Sequence, residues 1–497
     1  MAYHYVGGDR DQLFLLPVSM RDWLAEGHLA WFVIDVVATL DTARLHARHP
    51  NDGPGRPAYD PDMMLALLFY AYATGLRSSR RIEASCRTDA AYRVICGDVT
   101  PDHATIARFL VDHEQAIEGM FVQVLRLCAA AGLVSVGTIA IDGTKIGSDA
   151  ALDRNHSAEW IRAEIARILA EAVDVDAAED EQPGLFGADE LPVELSTPTG
   201  RLGRLQAALA QIQAHDAAAR AEADARAATA RAAAAEGKKL RGRKPKDPHA
   251  ALARAEADET AVRVKAQAKA STKNARSPAS AVNNDPDVKA AAAATAAARD
   301  AAQAATQTAK ANITDPDSRI MKTATGWVQG FNAQAAVNDH QIVVACTISQ
   351  DANDVGLYQP MVNATRQALD QAGVTEPIGI VLGDAGYWSN DNATTPGPQR
   401  LIATTKDHKQ RRAARQLGTT HGPPPEHATP LEAMEHRLRT PEGAAAYAKR
   451  SHTVEPVFSV KTNQGYDRFR RRGLAPARSE WALITTVHNL GKLYRSN

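Results

Sequence analysis

Two aspartates stand where short apolar stretches end, and their carboxylates could do metal chemistry. Asp142 follows the apolar residues of VGTIAIDGTK, and Asp384 follows those of IGIVLGDAGYW. Such runs are typical of strands buried inside a sheet. If the two strands are adjacent and parallel, both carboxylates project from the same carboxyl edge, where α/β folds place their sites. Taken alone, Asp142 and Gly143 also fit a hairpin turn, because Asp-Gly is common turn punctuation.

A third acid, Glu455, lies in a segment rich in basic residues, AYAKRSHTVEPVFSVKTNQGYDRFRRRG. Several residues there recur at helical steps of three and four: Tyr447, Arg450, Val454, Phe458 and Lys461. Because proline breaks a helix interior, Pro456 predicts either a helix that starts near Thr453 or a kinked helix. Taken alone, Glu455 is better interpreted as a salt-bridge partner of Arg450 or Lys461 than as a metal ligand.

Three carboxylates would suit a magnesium centre for phosphodiester chemistry. Mg²⁺ prefers oxygen ligands and keeps bound waters, so carboxylates serve it better than histidine or cysteine. Two such ions about 3.5–4 Å apart can activate an attacking oxygen and stabilise the leaving one. Two basic segments could contact phosphates or be merely solvated: KDHKQRRAAR and RFRRRG, the latter with Arg468, Arg470, Arg471 and Arg472. Beside the acids, the phosphate-contact interpretation is favoured.

The composition is that of a globular protein without a global charge. The chain has 497 residues, of which 44% are hydrophobic, and this length suffices for about two to four domains. The formal net charge is -1, so nucleic-acid binding would have to come from local basic patches. The four cysteines have no zinc spacing. Neither a secretory signal nor a membrane-spanning run is visible, so we expect a cytoplasmic protein.

Residues 20–135 predict a compact helical region. Pro61 suits the first turn of an apolar helix that breaks at Gly75, and Thr100 or Asp102 suits the N-cap of a later helix. Arginines recur between the predicted helices: Arg77, Arg80, Arg81, Arg87 and Arg108. Composition alone leaves two interpretations equally open, a DNA-binding module and a plain helical bundle with solvated arginines.

The stretch from about 155 to 310 is rich in alanine and poor in bulky core residues. It predicts a long helical hairpin or coiled coil, with partial disorder as the alternative. Its basic tripeptide Arg241-Gly242-Arg243 resembles a minor-groove AT-hook, although a solvated basic loop is favoured. After residue 311 the pattern predicts a hairpin, a helix, two strands and further helices. The sequence therefore indicates a mixed α/β sheet with a large insertion after its first strand.

Taken together, these motifs resemble the DDE-type transposases of bacterial insertion sequences, which have a ribonuclease H-like catalytic core. The matching stretches are AIDGTKI, DPDSRIMKT, GFNAQAAVN, DANDVGLYQPMV, VLGDAGYWS, the segment around Glu455, and, nearer the N-terminus, GRPAYDPDMMLALLFYAYATG with TPDHATIARF. Phe331 departs from the tyrosine usual before Asn-Ala-Gln. The insertion follows the first acidic strand, so its role cannot be carried over from relatives.

The resemblance implies a ribonuclease H-like mixed sheet, a helical N-terminal domain and a helical insertion after the first catalytic strand. The corresponding domains are a DNA-binding domain over 1–134, a catalytic domain over 135–158 and 311–497, and a coiled-coil-like insertion over 159–310. Asp142, Asp384 and Glu455 would be the acidic triad that holds two divalent ions, Mg²⁺ with Mn²⁺ as a substitute. Tyr447, Arg450 and Lys461 would grip DNA beside the third acid.

The expected function is DNA transposition. Water would nick the ends of the element, and the freed 3′-hydroxyls would attack target DNA. The partners would be double-stranded DNA at the element ends and the target, with a homodimer on DNA, association with the nucleoid and no membrane. The alternatives are a related metal-dependent nuclease that does not join DNA, and a non-catalytic DNA-binding or scaffold protein. The last ranks lowest, because a scaffold has no chemical reason to keep all three acids.

Overall fold

A computed structural model of the chain describes residues 19–47, 58–179, 198–235, 247–272, 278–323, 325–459, 461 and 464–496. The described residues divide into two compact units, one drawn from Met1–Asp149 and Ile320–Asn497, the other from Ala150–Arg319. The first unit thus takes in both the predicted N-terminal domain and most of the predicted catalytic domain. The tripeptide Arg241-Gly242-Arg243 lies outside the described residues.

Seven helices lead into the sheet of the first unit: α1 (Leu29–Thr39), α2 (Ala43–His46), α3 (Pro61–Ala73), α4 (Ser79–Thr88), α5 (Ala90–Ile95), α6 (His103–Asp112) and α7 (Glu114–Ala130). Local sequence explains their ends. Asp60 caps α3 and Pro61 fills its first position. Asp102 caps α6 by accepting from the Thr105 N–H. Gly75, just past α3, adopts a φ of 79° that suits glycine.

Arg77, just beyond α3, is a core residue and not a solvated or DNA-facing arginine. Its side chain is 4% exposed, and its Nη1 donates to the Oε1 of the buried Glu480 at 3.2 Å. The same nitrogen donates to the carbonyl oxygen of Arg468 at 2.7 Å, and the guanidinium lies over the Tyr466 ring. Arg77 therefore ties the segment after α3 to the C-terminal part of the chain.

A six-stranded mixed sheet forms the centre of the first unit, with the order β4-β5-β1-β7-β8 and β6 also paired with β5. Its strands are β1 (Thr138–Gly147), β4 (Arg319–Thr323), β5 (Gly326–Asn338), β6 (Val343–Ser349), β7 (Ile380–Gly383) and β8 (Gln399–Ile402). β1 is antiparallel to β5 and parallel to β7, and β8 is parallel to β7. The predicted hairpin is present as β5 and β6.

Six described helices complete the first unit: α13 (Tyr358–Gln371), α14 (Asn390–Thr394), α15 (Asp407–Leu417), α16 (Pro430–Leu438), α17 (Pro441–Phe458) and α18 (Leu474–Ser496). α18 packs against α7 and β6. Its buried Trp481 donates from Nε1 to the Gln334 carbonyl oxygen at 2.9 Å. Its Asn489 side chain bonds both the N–H and the C=O of Val343. The mixed α/β architecture with a helical N-terminal region agrees with the prediction.

The second unit is helical. Its described elements are β2 (Asn155–Ser157), α8 (Ala158–Glu179), α9 (Pro198–Ala235), α10 (Pro248–Thr272), α11 (Pro278–Asn283), α12 (Pro286–Thr308) and β3 (Lys310–Asn312). β2 and β3 pair antiparallel, so the unit begins and ends on neighbouring strands. Its buried residues fall into small clusters in which alanine is frequent. Across both units, the described helices include none that is long and apolar enough to cross a membrane.

Candidate active site

Asp142 lies inside strand β1 and not at its end. β1 continues through Gly147, and Asp142 is paired with Ala335 of β5 while Gly143 is paired with Gln334. The hairpin-turn interpretation of Asp142 and Gly143 is therefore wrong, because both residues belong to a continuous antiparallel ladder. The expectation that the strand ends at the aspartate is also wrong. What ends there is the parallel pairing of β1 with β7, whose last pair is Ile141 with Gly383.

Asp384 occupies the matching position just past the end of β7. That strand ends at Gly383, and Asp384 caps the short 3₁₀ turn Ala385–Tyr387 by accepting from the Gly386 N–H at 2.9 Å. Since Ile141 pairs with Gly383, the next residues along the two parallel strands are Asp142, still within β1, and Asp384, just past β7. The sheet register thus brings together two acids that are far apart in the sequence.

The Asp142 carboxylate is held between opposing electrostatic influences. Its Oδ2 accepts from Nη2 of Arg450 at 2.6 Å, and its Oδ1 accepts from the Gly143 N–H at 2.8 Å. Burial raises the pKa of Asp142 to about 7, opposed by Arg450 and reinforced by the neighbouring Asp384 and Asp354 carboxylates. A bound cation would relieve this crowding of negative charge.

Glu455 lies on α17, which begins at Pro441 and not near Thr453. Pro456 sits inside the helix two residues from its end, where only the last turn has to tolerate it. The Glu455 side chain is exposed. Arg450 and Lys461, the salt-bridge partners expected for Glu455, bond other groups. Arg450 pairs with Asp142, and Lys461 donates to the Lys145 carbonyl oxygen at 2.6 Å.

The convergence of all three acids stays a prediction. Among the described residues, one group of three acidic or histidine side chains has ligand atoms that all lie within 4.8 Å of one another, and it consists of the exposed His46 and Asp60 and the half-buried Asp62. The carboxylate oxygens of Asp142, Asp384 and Glu455 do not all lie within that distance of one another. A site for two ions separated by about 3.5–4 Å spreads its ligands over a wider span than one ion does.

The predicted DNA-contact residues differ in their surroundings. Tyr447 is half-buried, Arg450 is buried against Asp142, and burial lowers the pKa of Lys461. In the basic segment, Arg471 pairs with Glu114, and Arg472 pairs with Asp149 at 3.0 Å. The remaining two members are exposed: Arg468 and Arg470. Their exposure leaves these two arginines accessible to a phosphate backbone.

A polar network beside the two aspartates was not predicted from the sequence. Asp354, which follows β6, accepts from Asn332 and Gln334 of β5 and from Lys145 of β1. Tyr387 donates to the Gln334 side chain. The signal lay in two quoted motifs, GFNAQAAVN, whose buried polar residues alternate, and DANDVGLYQPMV. Neither motif could be assigned a role before the register of β5 with β1 was known.

The donor set fits a hard divalent cation. The ligand candidates identified at this edge, Asp142, Asp384 and Asp354, offer carboxylate oxygens, which Mg²⁺ and Mn²⁺ prefer. The raised pKa of Asp142 also matches a carboxyl group whose negative charge needs a positive partner.

Two parts of the chain match known protein families. Residues 18–112 match the family Transposase domain (DUF772), and residues 399–494 match the family Transposase DDE domain. No curated protein and no solved structure matches the chain. The first match covers helices α1 to α6. The second covers Glu455 and the basic segment, whereas Asp142 and Asp384 lie outside it.

Proposed function

We propose that this chain cuts the ends of a DNA element and joins them to target DNA. The two domain matches support a DDE-type transposase of the insertion-sequence type. One observation carries the proposal. Asp142 within β1 and Asp384 just past β7 both directly follow Ile141 and Gly383, the last pair of the parallel β1–β7 ladder. Two carboxylates in that arrangement are suited to hold divalent ions at the edge of a sheet.

The sheet also supports a ribonuclease H-like core. The resemblance implies that the first two acids lie on adjacent strands and that the third lies on a helix. Asp142 lies on β1 and Asp384 directly follows the adjacent strand β7, in keeping with the first condition, and Glu455 on α17 meets the second. Glu455 would complete the triad by approaching the two aspartates when metal and DNA are bound.

Asp142, Asp384 and Glu455 would hold Mg²⁺, for which Mn²⁺ would substitute. When bound, such ions supply activation of the attacking oxygen and stabilisation of the leaving oxygen. The chain's own residues prepare the site for them. Arg450 holds the Asp142 carboxylate in place through its ion pair, and the Gly143 N–H fixes the other oxygen. Because the pKa of Asp142 is about 7, proton loss from this group accompanies occupation of the site.

DNA contact is assigned to the basic residues of the C-terminal region. The exposed Arg468 and Arg470 would contact phosphates directly, and their contribution would fall as salt rises. Tyr447, Arg450 and Lys461 would act beside Glu455, while Arg471 and Arg472 would exchange their present ion pairs for phosphate. The substrate would be double-stranded DNA carrying the terminal repeats that flank the coding region, bound by a homodimer in the nucleoid.

The experiment compares Asp142→Asn, Asp384→Asn and Glu455→Gln with the wild type in Mg²⁺. Each variant keeps the shape of the side chain and removes its charge, so cleavage of an end-bearing DNA should fall by several orders of magnitude while band-shift binding persists. Asp370→Asn, an exposed aspartate of α13, is the matched control and should cleave normally. Near-normal cleavage by Asp142→Asn would contradict the proposal. Cleavage without joined products would instead identify a nuclease.

A further inference from the structure

Asp354 brings a fourth carboxylate to the same edge of the sheet. It lies in the loop between β6 and α13, and its side chain is 21% exposed. Its charge acts on both Asp142 and Tyr387, because it raises the pKa of each. Asp354 therefore shares the electrostatic environment of Asp142 and Asp384.

One oxygen of Asp354 is firmly anchored. Its Oδ1 accepts from Asn332 Nδ2 at 2.7 Å, from Gln334 Nε2 at 2.9 Å and from Lys145 Nζ at 3.1 Å. Among the described residues, no donor bonds the other oxygen, Oδ2. Three donors on one oxygen fix the plane of the carboxylate, so the direction of Oδ2 is set by the protein.

Two glycines make room for this carboxylate. A Cβ on Gly386 would lie 2.9 Å from Asp384 Oδ1 and 3.1 Å from Asp354 Oδ2, so those two oxygens are separated by no more than the sum of these distances. A Cβ on Gly143 would lie 3.0 Å from Asp354 Oδ1. Neither glycine has a positive φ, so a side chain at either position would be disfavoured by steric clashes and not by the backbone conformation.

The crowding of negative charge favours a cation next to Oδ2. Asp354 adds its charge to those of Asp142 and Asp384, and Lys145 pairs with its anchored oxygen Oδ1 and not with Oδ2. Mg²⁺ bonds carboxylate oxygens at about 2.0–2.1 Å. One such ion, or two neighbouring ions, can therefore reach both oxygens that lie next to Gly386, Asp384 Oδ1 and Asp354 Oδ2.

We propose that Asp354 is a fourth acidic residue of the metal site, in which Oδ2 faces the divalent cation while Oδ1 stays bound to Asn332, Gln334 and Lys145. This inference rests on the proposed function, since it concerns the same cations. It assigns Asp354 a direct contact with metal, whereas a purely structural role would use only the anchored oxygen.

The variant Asp354→Asn separates these two roles. The amide oxygen can still accept from the three donors, while an NH₂ group replaces the oxygen that faces the cation. We expect Mn²⁺ binding to the full chain, measured by isothermal titration calorimetry, to weaken at least about tenfold. The control Asp370→Asn should bind Mn²⁺ like the wild type. Wild-type affinity in Asp354→Asn would overturn the inference and leave Asp354 as an anchor.

Lys145→Met tests the inference from the opposite side, and decides it if Asp354→Asn does not fold. It removes the cation on Oδ1 and leaves the Asp354 charge, so Mn²⁺ affinity should rise. Unchanged or weaker binding would overturn the inference. Asp142→Asn separates it from the proposed function. If Asp142→Asn loses Mn²⁺ binding and Asp354→Asn does not, only the inference fails. If neither variant changes Mn²⁺ binding, the inference and the proposed function both fail.

Discussion

The first unit packs large aromatic and branched side chains into one continuous core, among them Phe69, Phe331, Tyr387, Phe469 and Trp481. The second unit instead buries small groups of residues in separate clusters, such as Ile161, Leu205 and Ile212 in one and little besides alanine in another. Both units are ordered along their described residues, but they reach that order by different means. Helix propensity dominates in the second unit, and burial of apolar area dominates in the first.

The difference explains where chemistry can be held. A buried charge is tolerated only where the surroundings supply partners for it, and such partners must be rigidly placed. The first unit provides this for the Arg77–Glu480 pair and for the anchored oxygen of Asp354. In most ion pairs of the described second unit the basic side chain is exposed, as Arg263 is in its pair with Glu259, whereas His249 with Asp216 is a buried pair. Removal of equivalent groups should therefore have unequal effects in the two units.

The largest contrast is expected for the same arginine-to-methionine change in the two units. Arg77→Met leaves Glu480 buried without its cation, which should destabilise the first unit by about 3–5 kcal/mol. Arg299→Met removes an exposed partner of Glu256 and should cost under about 1 kcal/mol. Urea unfolding would measure both losses of stability. Tryptophan fluorescence reports on the first unit, because Trp160 alone of the tryptophans lies in Ala150–Arg319, and circular dichroism follows the second.

The loss of unfolding free energy caused by Arg77→Met should also depend on pH. Burial already raises the pKa of Glu480, and loss of Arg77 would raise it further. A protonated Glu480 needs no cation, so the deficit should be smaller at pH 5 than at pH 8. Equal losses for Arg77→Met and Arg299→Met would contradict the contrast between the units.

A glycine-to-alanine change should have opposite signs in the two units. A Cβ on Gly330 of β5 would lie 2.0 Å from the Ile146 carbonyl oxygen of β1, so Gly330→Ala must push two paired strands apart. We expect a loss of about 3 kcal/mol or more. Gly203 lies within α9 with no atom near its added Cβ, so Gly203→Ala should stabilise the second unit by about 0.5–1 kcal/mol. Thermal unfolding of both variants would reveal the signs.

Acid should weaken the first unit through His488 of α18. Burial lowers the pKa of His488 to about 4 from its ordinary 6.5, and its Nε2 bonds the Gln341 carbonyl oxygen at 2.9 Å. The unfolded chain takes up the proton first, so this stabilisation is complete above pH 6.5 and is lost as pH falls towards 4. The loss should reach about 3 kcal/mol. His488→Gln, which keeps a donor for Gln341, should remove that part of the pH dependence. An unchanged acid profile would contradict it.

Local patterns predicted much of this fold. The apolar runs before Asp142 and Asp384 are strands, Pro61 begins one helix, Asp102 caps another, and the hairpin lies where the alternation indicated. Each of these depends on neighbours within a few residues. The adjacency of Asp142 and Asp384 could be predicted only under the assumption of parallel strands.

The rest depended on contacts distant in the sequence. β1 continues beyond Asp142 because β5, far along the chain, supplies the pairing that prolongs it. Arg77 is buried because Glu480 is its partner, and Asp354 belongs to the candidate site because β5 presents Asn332 and Gln334 to it. A side chain in a loop has no periodicity that announces such partners. These positions required the register of the sheet.

The smallest effect is expected from the largest deletion. Ser157 pairs with Lys310 across β2 and β3, so an Asn-Gly dipeptide can replace residues 158–309 and close the two strands as a hairpin. The continuous core of the first unit is made of residues outside 150–319. The fluorescence-detected unfolding midpoint of the shortened chain should therefore stay near that of the wild type, while the helical circular dichroism falls.

The matched control for this deletion is the full-length chain carrying Gly330→Ala, which damages the sheet and leaves the second unit intact. That variant should lower the fluorescence midpoint and keep most of the helical signal, the reverse of the deletion. The two results together test whether the alanine-rich helices contribute to the stability of the sheet that carries Asp142 and Asp384. If the shortened chain lost its cooperative fluorescence transition, the helices of the second unit would be required for the first unit to fold, and the division of the chain into two independently stabilised units would be wrong.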